Sequence, residues 1–153
     1  MTLILKTFSA TIVLLEITFA IAMSLSIFTA TSSIMGSLTP EGGKVPISFN
    51  TTTDLATGTT TINVMAIGRN RGVLDILMKM SFKILSPDNT IITQGSDSKR
   101  IPPGSSAEFS ITMPISKDNA IKYGLDSAKL TSTFTFECKT LFDLIGMNIE
   151  VKG

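Results

Sequence analysis

An apolar segment near the start of the chain constrains its fold more than any other feature. Between Lys6 and Glu41 the sequence holds a single ionisable side chain, Glu16. Residues 17–37 alone supply the roughly 20 apolar residues that a helix needs to cross a hydrocarbon core about 30 Å thick. The Ser and Thr residues in this run can bond to carbonyls of the preceding helical turn, so lipid tolerates them. The pattern therefore predicts a transmembrane-type α-helix.

The helix has a clear predicted end. Pro40 cannot continue a helix, and it is followed closely by Gly42 and Gly43, a pattern typical of a stop and a hinge. We therefore expect three parts: an N-terminal helix over residues 1–39, a hinge over 40–44 and a second domain over 45–153.

A cleavable signal peptide is the alternative interpretation of the same segment. Lys6 would form its basic region, and the small residues Ala20 and Ala22 flank a site that resembles a cleavage signal. The apolar run continues well past Ala22, however, and it is long for a signal peptide. This length favours a retained helix.

Glu16 has two interpretations that depend on where the membrane span lies. If the span covers residues 17–37, Glu16 sits at the membrane interface, which is the placement we favour. If it covers residues 7–28, the carboxyl group lies at mid-membrane depth and needs a partner. Small neighbours such as Ala20 and Ala22 would let another helix approach closely. Glu16, Ala20 and Ala22 are therefore candidate helix-packing residues, with the lipid bilayer and other membrane or filament subunits as partners.

The orientation of the helix follows from the charges that flank it. Lys6 and the α-amino group precede the apolar run, whereas Glu41 and Lys44 cancel each other after it. The positive-inside rule then predicts the N-terminus inside and the second domain outside the membrane.

The second domain shows the two-residue alternation of β-strands. The clearest case is residues 75–85, where five apolar side chains fall on one face: Ile76, Met78, Met80, Phe82 and Ile84. Seven strands are predicted, at residues 45–49, 59–68, 75–85, 90–94, 105–113, 129–138 and 144–152. A polar loop is expected at 95–100, Pro114 is expected to end a strand, and a helical turn is expected at 117–123. No crossover helix separates the strands, so the prediction is a mainly β fold: an antiparallel, immunoglobulin-like sandwich behind the N-terminal helix.

The composition excludes several kinds of chemistry. The chain contains no His, which rules out Ser-His-Asp and Cys-His nucleophiles, and no residue cluster has zinc-ligand spacing. The net charge of +1 and the absence of Trp argue against nucleic-acid binding. We therefore expect a non-catalytic protein without cofactors or metals.

Three smaller features carry narrower predictions. Cys138 stands alone and falls on the apolar face of its strand, so we expect a buried, unreactive thiol. Asn50 begins an N-x-[ST] sequon and is a possible glycosylation site if the domain is outside, although an unmodified turn is equally compatible. The segment 69–72 is interpreted as an ordinary turn rather than an anion site.

Part of the domain resembles the WHy (water stress and hypersensitive response) domain of late-embryogenesis-abundant proteins. The matching features lie within residues 61–115: a strand, the turn Arg69-Asn70-Arg71-Gly72, the strand 75–85, and Ile101-Pro102-Pro103-Gly104 before the next strand. The family usually has Asn-Pro in the first turn, where this chain has Asn70-Arg71. The resemblance implies a seven-stranded sandwich with a binding or protective role and no active site.

The overall plan also resembles the architecture of archaeal pilins and archaellins. These families place a long apolar helix before a β domain, and Glu16 is similar to the glutamate of bacterial type IV pilins. They carry a short basic leader that ends in glycine, whereas no glycine precedes Gly36 here. The resemblance implies a filament built around the helix.

Three functions follow as expectations. The first is a structural or accessory subunit of a membrane or cell-surface assembly, anchored by a single helix. The second is a pilin-like filament subunit. The third is a stress-protective binding domain of the WHy type.

Overall fold

The chain folds as one long helix followed by a two-sheet β-sandwich. The computed structural model describes residues 2–40, 47–123, 130–140 and 143–153, with only the backbone described for 2–10. Its elements are α1 (Thr2–Leu38), β1 (Ile47–Asp54), β2 (Thr59–Arg69), β3 (Ile76–Leu85), β4 (Ile91–Ile101), β5 (Ser106–Ile115), α2 (Lys117–Tyr123), β6 (Thr131–Thr140) and β7 (Ile145–Lys152).

The strands form two antiparallel sheets. One has the order β1-β2-β5 and the other the order β4-β3-β6-β7. This confirms the predicted mainly β fold with seven antiparallel strands behind an apolar helix. The fourth strand pairs with the third, whereas in immunoglobulin constant domains it belongs to the sheet of the first and second strands.

The core lies between the sheets and is built from the alternating side chains of their inner faces. All five apolar residues predicted for one face of β3 are buried, with Met78 and Met80 fully inaccessible to solvent. Phe109 of β5 and Phe136 of β6 are also buried. Each such side chain contributes roughly 1.5–3 kcal/mol relative to an exposed position. Alternation in the sequence is therefore a direct consequence of one-sided burial in each sheet.

The predicted polar loop at 95–100 is wrong, because β4 continues through it to Ile101. Every residue of this stretch has a partner on β3, from Gly95 opposite Phe82 to Arg100 opposite Leu77. Ser96, Ser98 and Arg100 lie on the exposed face of the sheet. Asp97 and Lys99 lie on the opposite face and bond to the backbone of β5, where the Asp97 carboxylate accepts from the Ser110 N–H at 3.1 Å and the Lys99 ammonium donates to the Glu108 carbonyl oxygen. Pairing along the full length of β3 supplies the hydrogen bonds that keep this polar segment extended.

Two strand ends also differ from the predictions. Pro114 does not end its strand but lies inside β5, opposite Thr61. Because β5 is an edge strand of the three-stranded sheet, the missing N–H of Pro114 is tolerated there. The strand predicted at 45–49 begins outside the described residues, as does most of the hinge predicted at 40–44. The described part of this strand begins at Ile47 and continues as β1 to Asp54.

Candidate functional site at the helix–sandwich junction

The long helix has two structurally different parts. Near its C-terminal end one face is buried against the sandwich, and we call it the docked face: Ser26, Thr29, Ala30, Ser33, Ile34, Gly36 and Ser37. Spacings of three and four residues place these side chains on one side of a helix. The helix contacts β2, β6 and β7.

The docked face lies within residues 17–37, where the sequence predicts a lipid-facing span. From residue 26 onward, one side of the helix is covered by protein. Six of the seven residues on this face are Ser, Thr, Ala or Gly, and small side chains allow two backbones to approach closely. Average hydropathy along the chain cannot separate such a face from a lipid-facing one.

Asn70 is the polar centre of the junction. It follows β2 directly and is 1% exposed. Its amide nitrogen donates to the carbonyl oxygens of Leu74 and Ile101, each at 2.8 Å. Its amide oxygen accepts from the Ser33 hydroxyl at 3.1 Å and from the Gly72 N–H at 2.9 Å. The side chain therefore uses its full hydrogen-bonding capacity to join the helix, the turn after β2 and the end of β4.

Arg69 binds the C-terminal end of the helix. Its guanidinium donates to the carbonyl oxygens of Gly36 and Thr39 at 3.1 and 3.0 Å. Its backbone N–H donates to the Ser37 hydroxyl at 2.9 Å. The last carbonyls of a helix have no partner inside it and carry partial negative charge, so a guanidinium here satisfies them and opposes the helix dipole.

Gly72 sets the distance between the turn and the helix. A Cβ atom at this position would lie 2.3–2.5 Å from atoms of Thr29, including its Cα. The next residue, Val73, donates its N–H to the Thr29 hydroxyl at 3.2 Å. Only glycine permits this close approach, so the segment predicted to be an ordinary turn is in fact a docking element for the helix.

The remaining part of the helix, residues 11–25, extends beyond the docked face, and we call it the free segment. Its large apolar side chains are exposed on all sides, among them Leu14, Leu15 and Phe19 at 65–71%. Thr18 and Ser24 donate to the carbonyl oxygens of Leu14 and Ala20 at 2.8 and 2.9 Å, as expected of hydroxyls in an apolar helix. From Thr11 to Leu38 the helix is long and apolar enough to cross a membrane.

The structure brings only some of the predicted helix-packing residues together. Glu16 and Ala22 line one shallow groove along the free segment, together with Leu15 and Phe19. Ala20 does not line this groove, although it lies within about 40° of Glu16 around the helix at 3.6 residues per turn. Glu16 and Ala20 are exposed and Ala22 is half-buried.

The other two candidate residues, Asn50 and Cys138, lie on strands of the sandwich. Asn50 is exposed on β1 and pairs with Asn63, so its sequon is on a strand and not on the turn that was one alternative. Cys138 is buried, as predicted, and burial raises the pKa of its thiol to about 12. Within the described ranges no group of three His, Cys, Asp or Glu side chains could hold a metal ion.

Sequence reasoning missed Asn70 and Arg69, the two residues that connect helix and sandwich. The available signal was weak: a polar residue directly after a buried strand, within the segment that resembles the WHy turn. Their partners on the helix lie 32 to 37 positions away in the sequence, so no local pattern shows the pairing.

Comparisons with known proteins give information about the fold only. No protein-family model matches the sequence, and no curated protein matches it either. A glycoside hydrolase family 2 β-glucuronidase superposes on 73% of this chain at 11% identity, with a TM-score of 0.51. Bacteroides uniformis β-glucuronidase 2, covalently bound to cyclophellitol-6-carboxylate aziridine, superposes on 75% at 13% identity, also with a TM-score of 0.51.

These matches cover only 11% and 13% of the glucuronidase chains. A protein from Archaeoglobus fulgidus is matched over 91% of its length and 70% of this chain, at 10% identity and a TM-score of 0.48. At such identities, the likeness to the glucuronidases shows a shared β-sandwich fold, and it carries no statement about activity.

Proposed function

We propose that this chain is a non-catalytic, single-pass membrane protein whose β-sandwich serves as a structural or accessory subunit of a larger membrane or cell-surface assembly. The observation that carries the proposal is the free segment, whose apolar side chains are exposed all around the helix. A helix that is apolar on every side is stable in lipid or among other helices, and unfavourable in water.

The docked face supports a membrane span that lies further towards the N-terminus than residues 17–37. At 1.5 Å per residue, residues 7–25 extend about 28 Å, close to the roughly 30 Å thickness of a hydrocarbon core. Lys6 then marks one membrane surface, and the sandwich begins at the other. The charge bias of the flanking residues supports the N-terminus inside and the sandwich outside.

This span puts Glu16 at its centre. A carboxyl group at mid-depth costs a few kcal/mol unless it faces protein or water, so it supports association with another helix. Glu16 thus favours an assembly over an isolated anchor, with the groove it shares with Ala22 as the contact surface.

The junction supports a structural role for the sandwich. Asn70 and Arg69 fix the sandwich to the C-terminal end of the helix by three side-chain hydrogen bonds, to Ser33, Gly36 and Thr39. The sandwich is therefore held at one orientation relative to the helix and is not free on a flexible tether. A subunit that positions other components requires such a fixed geometry.

Alkaline carbonate extraction of membranes from the expressing cells tests the anchor. We expect the wild-type chain in the membrane pellet, and weaker retention of the double variant Leu15→Asp/Phe19→Asp, because each charge at mid-span costs roughly 3 kcal/mol. The matched control is Leu55→Asp, since Leu55 is a 94% exposed apolar residue of the sandwich. Release of the wild-type chain into the supernatant would overturn the proposal.

Native-size analysis after mild detergent extraction tests the assembly. We expect the wild-type chain in a particle larger than a monomer with its micelle, and a smaller particle for Glu16→Ala. Ser24→Ala is the control, because Ser24 lies in the same segment, does not line the groove and bonds to a carbonyl of its own helix. A monomeric wild-type particle would contradict the role in an assembly.

A pilin-like filament subunit is the second candidate. The division of the helix into a docked part and a free part favours it, because free segments from many copies can pack into a filament core. Electron microscopy of sheared cell-surface material tests this, and an absence of filaments that contain this chain rejects it.

The WHy-type protective role stays a proposal that rests on the resemblance, and expression unresponsive to desiccation or osmotic shock would count against it.

A further inference from the structure

The outer face of the four-stranded sheet is a polar surface that the anchor does not use. The register aligns its outward side chains in rows across β4, β3, β6 and β7. The first three rows are Gln94-Lys83-Thr133-Lys152, Ser96-Ser81-Thr135-Glu150 and Ser98-Lys79-Glu137-Asn148. The fourth row holds Arg100, Leu77, Lys139 and Gly146. We call these positions the outer face.

The outer face is cationic. It has five Lys or Arg side chains against two carboxylates, while the whole chain has a net charge of +1. Cationic side chains are thus concentrated on this surface relative to the rest of the molecule. Such a patch attracts anionic partners and raises their local concentration.

Three of the five cationic side chains lie within 4.0 Å of a carboxylate oxygen. Lys139 pairs with Glu137 at 2.8 Å and Lys152 pairs with Glu150 at 3.2 Å, whereas Arg100 binds Asp143 at 3.2 Å. Among the described residues, neither Lys79 nor Lys83 has a carboxylate oxygen within 4.0 Å. Both are exposed and stand on neighbouring outward positions of β3, on either side of Ser81.

Lys79 and Lys83 line a recess of about 480 Å³. Its other walls are short hydroxyl, amide and carboxylate side chains: Ser81, Gln94, Ser96, Thr135 and Glu137, with Gly95. These groups both donate and accept hydrogen bonds. The pKa of Glu137 is lowered mainly by its hydrogen bond with Lys139 and also by the nearby charge of Lys79. The recess therefore combines two exposed ammonium groups with a polar lining that suits a ligand rich in hydroxyl groups.

We propose that the outer face binds an acidic polysaccharide, with Lys79 and Lys83 contacting carboxylates of different sugar rings. The Cα atoms of these residues are about 13 Å apart at 3.3–3.4 Å per residue, a separation at which each ammonium group can contact its own carboxylate along a polymer. A polymer with repeated carboxylates and hydroxyl groups matches both the spacing of the charges and the lining of the recess.

Two other partners fit this surface less well. A stable protein partner requires an apolar or aromatic centre, and the outer face offers only the half-buried Leu77. A single-stranded nucleic acid requires aromatic side chains on which bases stack, and the recess has none.

Affinity electrophoresis of the full chain in a non-ionic detergent tests the proposal. The probe is polygalacturonate, with its fully methyl-esterified form as the neutral ligand control and polyglutamate as the acidic peptide control. We expect retardation by polygalacturonate only, weakening as salt rises. Lys79→Gln/Lys83→Gln should lower the affinity about tenfold or more, because two charged contacts are lost.

The matched variant is Lys117→Gln/Lys122→Gln, which removes the same charge from α2. It should bind as the wild-type chain does, and Lys79→Arg/Lys83→Arg should retain binding because it keeps both charges. Absent retardation by polygalacturonate would overturn the proposal. Retardation by polyglutamate or by the esterified polymer equal to that by polygalacturonate would also overturn it. The same holds if the α2 variant loses as much affinity as Lys79→Gln/Lys83→Gln. None of these readouts depends on the native size of the protein or its membrane retention.

Discussion

Replacement of Asn70 by alanine tests the junction directly. The substitution removes four hydrogen bonds from a site that is 1% exposed, and it leaves two carbonyl oxygens, one N–H and one hydroxyl without their partner. Each bond contributes roughly 1 kcal/mol net, so we expect the free energy of unfolding to fall by about 4 kcal/mol. This is a large part of the roughly 5–15 kcal/mol that stabilises a typical domain.

The matched control is Asn63→Ala. Asn63 is partly exposed on β2 and accepts one hydrogen bond, from the Thr112 hydroxyl at 3.1 Å. We expect a loss below about 1 kcal/mol, as for most surface substitutions. Urea unfolding of the full chain in micelles, followed by pulse proteolysis, measures both variants, since the chain has no Trp for fluorescence.

A double-mutant cycle with Ser33→Ala separates the contact with the helix from the contacts within the sandwich. The Ser33 hydroxyl bonds to Asn70 across the junction, so the cycle should give a coupling energy of about 1 kcal/mol. If Asn70→Ala destabilises the protein no more than Asn63→Ala, Asn70 does not hold the junction and the reasoning is refuted. A zero coupling energy would refute the bond to the helix alone.

Three further predictions concern other parts of the molecule. Gly72→Ala should displace the helix, because the new Cβ atom would lie 2.3–2.5 Å from atoms of Thr29. Proteolysis within the docked face should then accelerate about tenfold. An unchanged cleavage rate would contradict the close approach of the turn to the helix. Cys138 should resist maleimide at pH 8 and react only after unfolding, since burial raises its pKa to about 12; rapid labelling of the folded chain would show that it is accessible. The hydrogen bond from Ser86 lowers the pKa of Asp88 below its ordinary value of 3.8. The stabilisation by this carboxylate is therefore present above pH 3.8 and is lost as the pH falls through the lower pKa of the folded state. Asp88→Asn should flatten that acid limb of a plot of stability against pH, and an unchanged limb would argue against the contribution of Asp88.

The sheets illustrate what local sequence patterns can reveal. The alternation in β3 predicted its buried face residue by residue, because a strand turns successive side chains to opposite sides. The same reasoning placed Cys138 in the core. It failed at residues 95–100, where polar residues on a fully paired strand have the composition of a loop.

The junction illustrates what local patterns cannot reveal. Asn70 and Gly72 lie in a segment with the composition of an ordinary turn, and Ser33 and Thr29 lie in a segment with the composition of a membrane helix. Contacts between these segments join residues 37 and 44 positions apart. Nothing in either segment alone identifies the other as its partner.

The sequence by itself determined the long apolar helix, the seven alternating strands and the absence of histidine chemistry. These properties depend on residue type and on spacing over a few positions, and the periods of helix and strand make them visible. How much of the helix is covered by the sandwich follows only from the tertiary structure. The physical reason is that burial is a relation between two surfaces: a face of Ser, Thr, Ala and Gly suits lipid or protein equally until the fold brings Asn70 and Arg69 against it.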